Sequence, residues 1–190
     1  MENNEYYDID SILAEHIKIP CTLNHDLGAK VNLSGHGIEV KKATQLELPF
    51  WMAKPMAQLT LPTTNENLIA LEIPSFFGRR VRNNLNASPT NVDLQSACPY
   101  FYVFGTKLVD TVVDDTLGPL MQKTYKARLR EIMDHSQTSA AGAGQEFSQK
   151  LDETEKELYK SGLESANLLR QWQNRSLHKL KQVDINLRAS

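Results

Sequence analysis

The chain has 190 residues, 21 Lys+Arg against 23 Asp+Glu, a formal charge of -2, 41% hydrophobic and 7% aromatic residues. That length holds one domain, or a main domain with a small satellite, and the apolar fraction is enough for a real core. The near balance of charge argues against a protein held to nucleic acid mainly through backbone phosphates, so any basic patch must be local.

The longest uncharged stretch, Leu94 to Thr106, contains Pro99 and falls far short of the roughly 20 apolar residues that cross a bilayer, so no membrane span is expected. The first residues, Met1 to Glu5, are acidic and lack a basic region and an apolar region, so the chain does not read as secreted, and the sequons at Asn32, Asn86 and Asn174 carry no weight. Cys21 and Cys98 have no companion Cys or His at ligand spacing, which argues against zinc and disulfide frameworks.

Glu2, Glu5, Asp8, Asp10 and Glu15 give the opening segment a local charge of -5. Asp10 is the expected N-cap of one or two helical turns that bury Ile12 and Leu13. From Ile17 the pattern has period two, with Ile19, Cys21 and Leu23 on one face of a strand. Further short strands are predicted at Lys30–Leu33, Ile38–Lys41 and Gln45–Leu48. A lobe this small buries too little surface to stand alone and must lean on the rest of the chain or on a partner.

After Leu48 the period becomes helical, apart from a strand-like run at Leu68–Ile73. A helix is predicted near Pro49–Gln58, kinked or stopped early by Pro55. Ser75 is the expected cap of a helix to about Asn86. Ser88-Pro89 starts another, leading into Val92, Leu94 and Ala97, and Pro99 restarts it through Tyr100, Phe101, Phe104, Leu108 and Val112. Asp115-Thr116 opens the clearest amphipathic helix, with Leu117, Leu120, Met121, Tyr125, Leu129, Ile132 and Met133 on its apolar side. A flexible loop is expected near 137–145, then one helix from Gln145 to about Gln182 and a disordered tail at 184–190. That helix would reach roughly 55 Å against a radius of gyration of about 16 Å for a compact chain, so part of it should project or lie along another subunit.

Chemistry-bearing patterns are weak. Gly142-Ala143-Gly144 lacks the preceding strand and the third glycine of a dinucleotide loop. Asp8 and Asp10 lack a calcium-loop glycine. Asp134-His135-Ser136 are adjacent on a helix and point apart, so they form no relay. Asp114 and Asp115 sit at a helix start, where carboxylates cap amides. No catalytic, cofactor-binding or metal-binding set is expected, and the chain reads as a non-enzyme. Two basic clusters, Arg79-Arg80-Arg82 and Lys123, Lys126, Arg128 and Arg130, read as solvated faces or sites for an acidic protein, with a nucleic-acid-binding adaptor as the alternative. The four aromatics Tyr100, Phe101, Tyr102 and Phe104 cannot all face one core, so at least one should serve a second interface.

Tyr6-Tyr7-Asp8-Ile9-Asp10-Ser11-Ile12-Leu13, then Ile19-Pro20-Cys21, then Leu46-Glu47-Leu48-Pro49-Phe50-Trp51-Met52-Ala53-Lys54 stand in order along the chain. With Asn91-Val92-Asp93-Leu94, the run Tyr100–Phe104 and Leu151–Tyr159, they closely resemble the GINS family of DNA-replication proteins, in its third Partner-of-Sld-Five branch. Pro55, directly after the Trp-Met-Ala-Lys motif, departs from the pattern. The resemblance implies a mainly α protein with a small N-terminal β-rich domain (α+β), a β-rich domain at 1–48 with an N-terminal helical turn and a helical domain at 49–190.

It further implies a non-catalytic scaffold subunit of a heterotetramer with three sister GINS subunits. That tetramer belongs to the nuclear, chromatin-bound replicative helicase, with the MCM ring, the RecJ-like partner and, indirectly, the replicative polymerase. Cofactors and membrane partners are not expected, and direct DNA contact is expected to be weak or absent. Residue by residue, the resemblance makes Leu46, Leu48 and Trp51 the interdomain joint. It makes Tyr100, Phe101, Tyr102, Phe104, Leu151, Leu158, Leu169 and Trp172 the subunit interface, and Tyr6, Tyr7, Asp8, Asp10 and Leu13 a partner-facing or pore-proximal segment.

Overall fold

The computed structural model describes residues 7–27, 41–61, 66–138 and 144–174. A short helix, α1 (Ile9–Glu15), leads into β1 (Lys18–Leu23), β2 (Gln45–Pro49) and α2 (Phe50–Gln58). β3 (Ile69–Leu71) and a 3-10 turn (Ser75–Phe77) follow, then α3 (Arg79–Ala87), α4 (Leu94–Ala97), α5 (Phe101–Val109), α6 (Leu117–Thr138), α7 (Gly144–Ser148) and α8 (Glu153–Gln173). The result is a helical bundle with one small sheet, the α+β architecture expected. The candidate strands at Lys30–Leu33 and Ile38–Lys41 lie outside the described residues except for Lys41, which is in a loop.

The sheet is antiparallel throughout, in the order β2-β1-β3. Alternation in β1 is as expected: Ile19, Cys21 and Leu23 are buried and Lys18 is exposed. Ile19 stands opposite Leu48 and Cys21 opposite Leu46 on one side, while Leu23 stands opposite Ile69 on the other. Pro20 is tolerated in this central strand because its carbonyl, and so the side of its missing N–H, faces Glu72, one residue past the end of β3.

Four helical expectations need correction. Asp8, not Asp10, caps α1 by accepting from Asp10 N at 3.3 Å, and the residues turned inward are Ser11 and Ala14, leaving Ile12 and Leu13 exposed. α2 runs through Pro55 to Gln58: an exposed proline forfeits one bond, to the Trp51 carbonyl, and the remaining turn holds. Ser75 opens only the 3-10 turn, and α3 begins after Gly78. No helix starts at Ser88-Pro89, because the carbonyls of Pro89 and Val92 turn away to accept from Arg128; α4 starts at Leu94, capped by Asp93, which accepts from Ser96 N at 3.0 Å.

The long final helix is also two. α7 ends at Ser148, and Asp152 starts α8 through a reciprocal capping box with Glu155. The 21 residues of α8 give it a length of about 32 Å, not 55 Å. Gln137 and Thr138, expected in the flexible loop, still belong to α6; residues 139–143 and the tail at 184–190 lie outside the described residues.

One apolar core joins the sheet to the bundle, and a smaller one, around Ile132, Leu151 and Tyr159, lies between α6 and α8. Contacts between these two helices advance together, Arg128 with Glu155 and then Ser136 with Gly162, so α6 and α8 run parallel. Gly162 permits this approach: a Cβ there would lie 2.7 Å from Ser136 Oγ and 2.8 Å from its Cβ. Gly162→Val is therefore expected to force the helices apart and cost about 1–3 kcal/mol, read as a lower thermal midpoint of the purified protein or its complex. An unchanged midpoint would show that the seam is not closely packed.

Candidate functional site

Asp152, immediately before α8, organises the middle of the bundle. Its Oδ1 accepts from Phe101 N at 2.7 Å and its Oδ2 from Thr154 N at 3.2 Å, so one carboxyl caps the starts of both α5 and α8. Burial pushes this carboxyl up to about 7 even though both backbone donors favour its ionised form.

Three residues further on, Glu155 is wholly buried and meets the guanidinium of Arg128 from α6, with Nε to Oε1 at 2.7 Å and Nη2 to Oε2 at 2.9 Å. The remaining Arg128 donors go to the carbonyls of Pro89 and Val92, both at 2.9 Å, and Lys150 at 3.2 Å. Burial disfavours the charge on Arg128, but the hydrogen bonds and charge of Glu155 outweigh it and hold its pKa above the usual value. Tyr102 donates to Glu155 Oε1 at 2.9 Å, and burial together with that carboxylate keeps its phenol protonated far above its ordinary range. The Arg128 and Glu155 charges match each other, and their shared hydrogen bonds fix the geometry of α5, α6 and α8.

The basic clusters change accordingly. Arg128, read from the sequence as a surface cation, is buried. Arg82 ties α3 to the start of α6 through Asp114, 2.6 Å away, and Thr116 Oγ1, at 2.8 Å. Hydrogen bonds from Arg82 and Thr116 hold Asp114 well below the usual carboxylate range. Arg79, Arg80, Lys123, Lys126 and Arg130 remain exposed.

Other polar motifs also settle into the fold. Asp134 is exposed, His135 stacks on Phe147 at 4.2 Å, and Ser136 is buried and donates to the Met133 carbonyl. Both cysteines are free and buried, and burial pushes each thiol up to about 11. Among the described residues no group of three metal-capable side chains occurs, and no helix is long and apolar enough to cross a membrane.

The residues expected at interfaces separate into two kinds. Phe101, Phe104 and Leu151 are fully buried in this chain and have no surface to offer a neighbour; Tyr100, Tyr102 and Leu158 are half-buried. Leu169 is 53% exposed and Trp172 75%, and Leu168 beside them, not singled out from the sequence, is 62% exposed. Their exposure has a geometric cause. Because α6 and α8 run parallel and α6 ends at Thr138, opposite about Ser165, the last two turns of α8 overhang it. Beside the overhang lies an open groove of about 680 Å³ lined by Leu129, Met133, Leu158, Gly162, Ala166 and Leu169 among others.

Of the residues expected to join the domains, Leu48 is buried and Leu46 half-buried in the sheet, while Trp51 is half out in solvent. Phe50, the residue before Trp51 and the first of α2, is buried in the same core, and its ring meets Phe104 edge-on at 5.3 Å. Tyr6 lies outside the described residues. Tyr7 and Asp8 are exposed, Asp10 is half-buried and Leu13 is exposed.

A small sheet here feeds a helical bundle with a bare apolar helix end, and family comparisons place this fold. The model described as the GINS complex protein helical bundle domain matches residues 76–174. That described as the PSF3 N-terminal domain matches residues 7–58. The chain belongs to the PSF3 family of GINS proteins. It is similar to the DNA replication complex GINS protein psf3 of Aspergillus fumigatus, with 35% identity over 88% of this chain and 95% of that one. The PSF3 protein of Phaeosphaeria nodorum is 32% identical over 89% and 96%. That of Schizosaccharomyces pombe is 31% identical over 90% and 98%.

Proposed function

We propose that this chain is a non-catalytic scaffold subunit of a heterotetrameric GINS complex, assembled with three sister GINS subunits. It acts in the nucleus, on chromatin, in the initiation and elongation of DNA replication, as part of the replicative helicase with the MCM ring and its RecJ-like partner. Family membership and its relatives' names as DNA replication complex GINS proteins support this reading. The single observation that carries it is the overhang of α8, where Leu168, Leu169 and Trp172 stand exposed beside an apolar groove with few charges around them. Permanent interfaces are more apolar than ordinary surface and centre on aromatic anchors of this type.

The test is co-expression with the three sister subunits, followed by measurement of size and stoichiometry. The wild-type chain is expected in a one-to-one-to-one-to-one complex. Leu168→Asp with Trp172→Asp should leave the chain's own cores intact, since neither side chain enters them, and weaken its incorporation more than a hundredfold. A doubly substituted chain that co-elutes in full stoichiometry would overturn the proposal.

A further inference from the structure

α5 ends on a charge of the wrong sign. Its C-cap, Asp110, puts an exposed carboxylate at the helix end where unpaired carbonyls and the macrodipole already gather negative charge, and where a cation is the stabilising residue. Among the described residues no hydrogen bond or ion pair reaches that carboxylate. Lys107, one turn earlier, gives its ammonium to Ser11 and Glu15 of α1 instead. Asp110 stands at an open cavity of about 390 Å³ between α5 and the first half of α6, with apolar walls from Val109, Gly118 and Met121. Tyr102 and Tyr125 also line it, and their rings meet at 82° with centroids 5.2 Å apart, forming an aromatic corner. The Tyr102 hydroxyl is held inward by Glu155 at 2.9 Å, so that wall is set before any ligand arrives. Thr106 and Gln122 complete the lining; the Thr106 hydroxyl donates to the Val103 carbonyl at 2.9 Å, which leaves its oxygen free to accept. The described lining holds no cation: Lys123 and Lys126, beside Gln122 and Tyr125 in sequence, are exposed outside it.

We propose that this cavity receives an arginine side chain of a partner protein, with the guanidinium against Asp110 and the aromatic corner and the stem along Val109 and Met121. Each part of the lining matches a part of that side chain. A guanidinium is planar and weakly hydrated and carries its N–H donors in a fixed fork, so it can stack on a tyrosine face while bonding the Asp110 carboxylate and the oxygens of Thr106, Gln122 and Tyr125. Its aliphatic stem needs an apolar wall. A lysine ammonium is compact and strongly hydrated, and gains less from leaving water for a single carboxylate beside two rings. Arginine seated in a pocket of this kind is also a common energetic anchor of protein interfaces. The inference goes beyond the subunit reading, which rests on the end of α8. Of this lining only Tyr102 belongs to the expected interface set, and the occupant's chemistry follows from the cavity whichever protein supplies it.

The experiment uses the full chain, by itself and in the co-expressed tetramer, with the capped tripeptide Ala-Arg-Ala as the probe and its lysine and citrulline counterparts as controls, read by saturation-transfer NMR. Ala-Arg-Ala should bind in at least one of the two states with a millimolar dissociation constant; binding to the chain that disappears in the tetramer means that a sister subunit already supplies the arginine. Citrulline has the same shape without the charge and should bind at least tenfold more weakly, and lysine at least threefold more weakly. Asp110→Asn removes the charge. Gly118→Leu fills the cavity, since the nearest atom that a Cβ at Gly118 would meet is Val109 Cγ1, at an ordinary contact distance of 3.9 Å. Each variant should weaken Ala-Arg-Ala at least tenfold with the melting temperature unchanged. No binding in either state, citrulline or lysine binding as tightly as arginine, or unchanged affinity in either variant would overturn the proposal. A chain that binds the probe but enters no tetramer would overturn the subunit reading alone.

Discussion

Arg128→Ala should destabilise this protein by about 3–5 kcal/mol, because it leaves the carboxylate of Glu155 fully buried without its counter-charge. The loss extends beyond the ion pair. The carbonyls of Pro89 and Val92 lose a donor, and the loop before α4, shaped by those two bonds, loses its reason to stay open. A domain of this size has only about 5–15 kcal/mol of stability in total, so the change should appear as a large fall in thermal midpoint or as loss of soluble complex. Replacing both partners, Arg128→Met with Glu155→Leu, should recover only part of the loss. It relieves the orphaned charge but leaves the Tyr102 hydroxyl, the Asp152 N–H and the loop carbonyls without partners. A loss below about 1 kcal/mol for Arg128→Ala would mean that water or a neighbouring side chain replaces the guanidinium, and that the network does not set the geometry of the bundle.

The second large effect is expected at Phe104→Ala, again about 3–5 kcal/mol. Its ring stands 5.3 Å from that of Phe50, 5.7 Å from Phe76 and 6.1 Å from Phe77, so it ties α2 and the 3-10 turn to α5 at one point. Removing it opens a cavity where the sheet-bearing part of the chain meets the bundle. Besides a lower midpoint, the amides of β1 and β2 should exchange faster with solvent than those of α6 and α8, because the joint loosens before the α6–α8 seam does. Uniform acceleration across all elements would show instead that the protein opens as one unit and that the joint has no special role.

Much of this architecture was legible from residue spacing. The alternation of Ile19, Cys21 and Leu23 marked β1, and the spacing of Leu117, Leu120, Met121 and Ile132 marked α6, because burial of one face imposes its period on the sequence. Exposed apolar ends were harder to read. Trp172 and Leu169 continue the same helical face as Leu158, and no local feature says where α6 stops covering it. Likewise Ile12 and Leu13 look like the core side of α1 until Lys107, almost a hundred residues away, is seen to take Ser11 inward. The missed residues share this character. Arg128 and Glu155 read as ordinary helix-surface charges, and Asp152 as an ordinary acid within a longer helix, although the Asp-x-x-Glu spacing of Asp152 and Glu155 was an available capping signal.

By itself the sequence determined the class of the protein: the periods and turn residues suffice for an α+β chain, and the ordered motifs from Tyr6 to Tyr159 carry its resemblance to GINS proteins, since these are properties of neighbours along the chain. Tertiary structure alone decided which charges are buried, which apolar residues are left bare and which residue joins the sheet to the bundle. Those outcomes depend on pairs such as Arg128 with Glu155, Lys107 with Ser11 and Phe50 with Phe104, brought together from distant positions by packing, and no local pattern encodes a partner that far away.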